Sequence, residues 1–245
     1  MKRVTFKIII ALCVLSFASP ALAWHDKTHL AIAKAAGYEM WYHCAGPDIA
    51  KIKAGNIESY NHWFNNTAEV EITPQIVFDQ IEHYNKRQKV IDVEGHILGA
   101  IIASLRAYEK DLRAGKYAQY HLVYCAHYIS DLTMPLHNIA YDDFNQEHHN
   151  ANDGIVEETI LNEPEKISRH MYSINLSKKD FETDLAREIA RIANLSRVLG
   201  YKLRAEKRDM TKQEAYIQLG HSASLLKAVL QYYNEIPASA KGAVK

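Results

Sequence analysis

The sequence predicts an all-α fold, a single compact multi-helix domain, and three observations carry that expectation. The 245 residues contain only 10 glycines and 6 prolines, so the chain has few breaks. Apolar residues recur at three to four over long stretches, as in Ile97, Ile101, Leu105 and Tyr108. The breaks that exist coincide with helix start and stop signals. Thr28 to Ala36 reads as a first helix, closed by Gly37. Thr73-Pro74 starts another, with Thr as cap and Pro in the first turn. Asp92 to Ala114 is a long amphipathic segment ended by Gly115, and Tyr117 to Leu132 follows, stopped by Pro135. His149 to Leu161 precedes Pro164, and Ser177 to Leu199 is ended by Gly200. A capping box of Thr211 and Glu214 opens the last helix, which runs to Tyr233 before Pro237. Residues 39–72 and 134–148 read as irregular. No repeat or linker divides the chain, so residues 24–237 are expected to form one domain, with residues 238–245 a fraying tail.

The first 23 residues read as an export signal. Lys2, Arg3 and Lys7 give a positive start, Ile8 to Phe17 a short apolar stretch, and Ala21-Leu22-Ala23 a small-x-small cleavage site. That stretch is too short for a membrane span, which needs about 20 apolar residues. The expected product is a secreted or periplasmic chain that starts at Trp24. Loss of the three cations shifts an even balance of 29 basic and 29 acidic residues to a net of about −3. That excludes a protein that grips nucleic acid by bulk charge alone. Cys44 and Cys125 remain, too few for a disulfide framework, and a bridge or two buried thiols are both open.

All 13 histidines lie beyond residue 23, and their spacing is uneven. His127 and Asp131 stand four apart on an expected helix, which puts them on one face about 6 Å apart. His137 follows just past Pro135, and His149 with Asp153 repeats the four-residue spacing. An imidazole and a carboxylate on adjacent helical turns can hold one zinc ion together. One such pair is common on surfaces; two with a third His between them point to metal. His148 competes with His149, but four residues after it stands Asn152, a poorer ligand than Asp153. His43, His83, His96, His121, His170 and His221 show no partner pattern and read as structural or surface residues.

The segment His-Tyr-Ile-Ser-Asp-Leu-Thr-Met-Pro-Leu-His at 127–137 resembles the central motif of the zinc-dependent phospholipase C superfamily, which also includes single-strand nucleases. Members of that superfamily start with a Trp whose free amine binds zinc, matched by Trp24, and a His soon after, matched by His29. Asp48 and His62-Trp63 fit the next two motifs, and His149 with Asp153 fits the last. The resemblance covers roughly residues 24–160 and implies a helical domain around three zinc ions. Asp48, His62, His127 and Asp131 would hold one, and Trp24 with His29 a second, bridged by Asp131. His137, His149 and Asp153 would hold the third.

The resemblance further implies in-line hydrolysis of a phosphodiester by a zinc-activated water, with Asp48 as acceptor of its proton. Trp63 and Asn65, beside His62, are expected to touch substrate. The short interval between His137 and His149 favours phospholipid headgroup esters, with peripheral membrane contact. A single-strand nuclease is the alternative, and a non-catalytic zinc-binding protein the second. Lys27 and Ile49 stand where choline-reading members carry acids or rings, so no preference for phosphatidylcholine is expected.

Overall fold

The computed structural model describes residues 24–86 and 94–235. The expected export signal, the start of the helix expected from Asp92 and the tail from Ala238 lie outside the described residues. The fold is all-α: helices and 3-10 turns alternate along the chain, and no strand occurs among the described residues.

The helix α1 (Asp26–Ala35) is followed by two short helices, α2 (Gly46–Ala54) and α3 (Asn56–Ser59), where an irregular segment is expected. Next comes α4 (Pro74–Gln80), with the Thr73 side chain accepting from the Ile76 N–H at 3.3 Å, as its sequence signature predicts. The central pair is α5 (Ile97–Arg113) and α6 (Gln119–Leu132), packed side by side across a tight turn. A 3-10 turn at Pro135–Asn138 leads to α7 (Asp143–Asp153). The short α8 (Pro164–Ser168) and the long α9 (Phe181–Glu206) and α10 (Lys212–Tyr232) complete the domain. The capping box at the start of α10 forms as expected, and Arg208 clamps its Glu214 through two bonds of 2.8 Å.

Two expected boundaries are corrected. The helix holding His149 begins at Asp143 and ends at Asp153, short of Leu161; a turn and a 3-10 segment (Ile160–Asn162) follow. The other concerns Gly200, which lies inside α9 and does not end it. A Cβ at Gly200 would stand 2.7 Å from the Pro135 carbonyl oxygen. The residue is small so that α9 can press against the turn that carries His137.

Two apolar clusters form the core. Ile97, Ile101 and Leu105 of α5 meet Leu122 and Ile129 of α6 and Ile189 of α9 in the first. Trp24, Ile32, Met134, Leu136, Ile160 and Leu219 belong to the second. Ser and Thr tie α6 to α10 between them: the hydroxyls of Thr133 and Ser222 share a hydrogen bond. The polar side chains of α6 that belong to neither cluster, His127 and Asp131, are wholly buried. Burial of such groups is costly unless they are paired or bind a cation. Cys44 and Cys125 are buried free thiols with no bridge between them, and burial pushes Cys125 up to about 12.

Candidate metal centre

Five elements deliver polar side chains to one place. α1 brings His29, α2 brings Asp48, the segment after α3 brings His62, α6 brings His127 and Asp131, and the 3-10 turn with α7 brings His137, His149 and Asp153. All eight are buried. Their ligand-type atoms form three groups: His29, His127 and Asp131; Asp48, His62 and His127; and His137, His149 and Asp153.

The spacing within the first cluster of atoms is informative. His62 Nδ1 lies 2.8 Å from Asp131 Oδ2 and 3.1 Å from His127 Nε2. His127 Nε2 lies 3.2 Å from Asp131 Oδ2 and 3.5 Å from Asp48 Oδ1, and Asp48 Oδ1 is 3.9 Å from His62 Nδ1. Four ligands at about 2.0–2.2 Å from a tetrahedral ion stand about 3.3 Å apart along each edge. The separations among Asp48 Oδ1, His62 Nδ1 and His127 Nε2 are of that order, and Asp131 Oδ2 stands at a similar distance from both imidazoles without falling into one group with Asp48. The second oxygen of Asp131, Oδ1, faces away from this group, 3.4 Å from His29 Nε2 and 4.0 Å from His137 Nδ1. His127 is therefore common to two groups, and the two Asp131 oxygens face different imidazoles. In the remaining group, His149 Nε2 is 3.2 Å from His137 Nε2 and 3.5 Å from Asp153 Oδ2.

Unsatisfied atoms coincide with these positions. Both nitrogens of His29, Asp131 Oδ1, His137 Nδ1 and both oxygens of Asp153 are buried without a hydrogen-bond partner. A native interior seldom tolerates so many orphaned acceptors together unless something binds them. The donor set of imidazole nitrogens and carboxylate oxygens is the one a borderline divalent cation takes. The buried His/Asp groups can hold metal ions.

The electrostatics fit the same reading. Burial pushes His29 down to about 3 and His149 to about 4, and holds His137 well below the usual range, so these imidazoles stay neutral, the form that binds metal. Burial also opposes charge on His127, but the Asp131 and Asp48 carboxylates outweigh it and raise this imidazole to about 10. Asp131 and Asp48 stay below the usual carboxylate range despite burial, chiefly because of His127. Asp153 lacks a cationic neighbour of that strength: burial, then Asp131, holds it well above the usual range.

Several supporting residues carry no motif and escape a sequence reading. Glu58 accepts from His62 Nε2 at 3.1 Å and from the Tyr128 hydroxyl at 2.8 Å, which turns His62 Nδ1 towards the metal side. Asn61 donates to both Glu58 and the Tyr128 hydroxyl at 3.2 Å, and its oxygen meets His96 Nε2 at 2.9 Å. The Cys44 carbonyl fixes His127 through Nδ1 at 2.7 Å, and Asn145 does the same for His149 at 2.6 Å. The signal available for Glu58 and Asn145 was their spacing, four residues before His62 and His149. Glu58→Gln should leave the helices intact but weaken metal binding about 10–100-fold, read by competition with a chromophoric chelator. An unchanged affinity would assign Glu58 to packing alone.

Trp24 is fully buried, its indole in the second apolar cluster. The next residue donates from its backbone: His25 N–H reaches the Asp153 carbonyl at 3.4 Å. The start of α1 is also held by Glu157, which accepts from Lys27 N–H at 2.9 Å, Thr28 N–H at 3.0 Å and the Thr28 hydroxyl at 3.1 Å. Trp63 is half-buried and edge-on to Tyr60, and its ring leaves no room for a Cβ at Gly95. The Asn65 N–H donates to the Glu94 carbonyl at 2.7 Å. His148, the competitor of His149, points elsewhere and pairs with Asp209 at 2.7 Å. Lys51 stands at the edge of the centre, 2.6 Å from Asp48 Oδ1.

No family model matches the chain, and neither a curated protein nor a solved structure matches it. What the centre does must be read from its own geometry.

Proposed function

We propose that the chain is an exported zinc phosphodiesterase of phospholipase C type, holding three zinc ions and cleaving phospholipid headgroup esters. The observation that carries the reading is the convergence of eight buried His and Asp side chains in three groups, with His127 common to two of them and the two Asp131 oxygens facing different imidazoles. A zinc cluster of this kind, when bound, supplies Lewis acidity to the phosphoryl oxygens and lowers the pKa of water towards 7.

The chain's own residues account for the rest. His29, His62 and His127, oriented by carbonyl and carboxylate partners or by close packing, bind and fix the cluster. Asp48 is ionised and lies at the edge next to Lys51, where it can take the proton from the attacking water. Lys51 adds a cation for the phosphate, since its ammonium acts as a point charge. In the reaction the water oxygen bonds to phosphorus and the bond from phosphorus to the glycerol oxygen breaks. The proton held by Asp48 then leaves with the alcohol product. No Ser or Cys nucleophile is needed, and Cys125, its thiol held up by burial, is unsuited to that role.

The test is an assay of the chain starting at Trp24 on monomeric phospholipid and on single-stranded nucleic acid, before and after chelation. Lipid turnover that disappears with chelation and returns with zinc is expected. Nucleotide release with intact lipid would move the assignment to a nuclease, and tight zinc binding with no turnover of any diester would make the centre non-catalytic. Turnover that survives thorough demetallation would refute the mechanism.

A further inference from the structure

The helix that carries Asp48 and Lys51 inward has a second face. Ile49 and Ile52 of α2 are 63% and 77% exposed, and Lys53 lies on the same outward side. Single exposed apolar residues are ordinary, but two isoleucines one helical turn apart at the edge of a buried polar centre are not. From Ala45 to Ile57 the only acid is Asp48, which is buried, so the exposed side of this stretch presents the two isoleucines, Lys53 and the neutral Asn56 without a carboxylate. At the start of the same helix, Gly46 and Pro47 line a cavity of about 270 Å³ together with Tyr117 and Tyr120, themselves 67% and 43% exposed. Tyr42, on the turn just before α2, is 56% exposed.

We propose that this face docks on a phospholipid surface, with Ile49 and Ile52 entering the acyl boundary and Lys53 at the headgroup phosphates. The inference rests on the phospholipase reading above for its occupant. Charge complementarity selects the partner: a helix face with Lys53 outward and no exposed acid suits a phosphate-bearing surface. Apolar contact selects lipid over nucleic acid, because two exposed isoleucines gain nothing from a solvated polyanion but are sheltered in a bilayer interface. Tyrosines around the cavity match the amphipathic rings that settle at headgroup depth. Lysine fits beside them, since its stem follows apolar surface while the ammonium stays with phosphate. None of the docking residues belongs to the metal centre.

The experiment compares wild type, Ile49→Ser/Ile52→Ser and Lys53→Gln, all zinc-loaded, in two assays. Partitioning is measured by sedimentation with vesicles of phosphatidic acid and cholesterol, which offer phosphate headgroups but no diester to cleave. Hydrolysis is measured on dihexanoyl phosphatidylglycerol below its micellar concentration. Expected is partitioning at least about tenfold weaker for the double variant, with monomer hydrolysis unchanged in Lys53→Gln. Lys53→Gln should partition more weakly and lose part of its salt dependence. Equal partitioning by wild type and the double variant, or no partitioning by wild type, overturns the docking surface while leaving hydrolysis of monomers to speak for the site. A double variant that changes from dimer to monomer in sedimentation also overturns it, giving the face to a second copy of the chain. If partitioning falls as expected but no form hydrolyses the monomer, the surface stands and the phospholipase reading fails.

Discussion

Asp131→Asn is expected to reduce diester hydrolysis by about 10⁴-fold or more even with zinc in excess. The two oxygens of this carboxylate do different work: Oδ2 lies against His62 and His127, and Oδ1 against His29. The amide keeps the shape and one acceptor but removes the charge and offers an N–H where a ligand oxygen is required. Two groups of the centre are thus damaged by one substitution, and metal content should fall by more than one ion. The fold suffers as well, because Asp131 is the first of the partners that hold charge on the buried His127. Breaking a buried ion pair from one side costs about 3–5 kcal/mol. A second measurement separates the two effects: metal analysis and circular dichroism on the same sample. An Asn variant that is folded and retains activity within tenfold of wild type would contradict the shared-carboxylate geometry.

The second large effect tests the proposed ligation by the Trp24 amine. A chain that retains Ala23 should lose about 100-fold or more in activity and bind one zinc fewer, while its helices stay unchanged. A free α-amine has a pKa of about 7.7–8.0, so a divalent cation takes it in the neutral form near physiological pH. An amide nitrogen has no lone pair to give. The structure isolates this change well. Trp24 is buried, and α1 is held by Glu157 and by the His25 bond to Asp153, none of which needs a free amine. The extension therefore tests ligation and not folding. Full activity in the extended chain would show that Trp24 serves only as an apolar anchor.

How much was legible beforehand follows from what each segment buries. Long helices that bury apolar stripes were read from periodicity and capping, α10 with both ends nearly right and α5 with its end right but its start at Ile97 and not at Asp92. The segments that build the centre were not. The helix α7 buries Asn145, His149, Asn152 and Asp153, so the face that hydropathy reads as solvent-facing is the one turned inward. Its first half therefore passed as irregular chain, and the apolar residues after Gly154 drew the expected helix too far forward. α2 buries Pro47 and Asp48 and suffered the same way. His127, Asp131, His137, His149 and Asp153 stood out by spacing because metals require specific atoms at specific separations, whereas His29, Asp48 and His62 rested on the resemblance. Residues that merely orient them, such as Glu58 and Asn145, could not, since hydrogen bonding to a ring nitrogen leaves no mark of composition. Gly200 misled for a related reason: its role is close approach to Pro135 and not a helix end.

The clamp of Glu157 on the first turn of α1 has a consequence for the order in which the molecule can be built. Lys27 and Thr28 find their partner about 130 positions downstream, so this clamp on α1 cannot close until that part of the chain is in place. Contacts of that sequence separation close late, because a large loop must be ordered before they form. Assembly of the buried His/Asp centre is tied in the same way to the arrival of His149 and Asp153, so on the proposed reading an exported zinc enzyme would gain its hydrolytic power only once that part of the chain had folded.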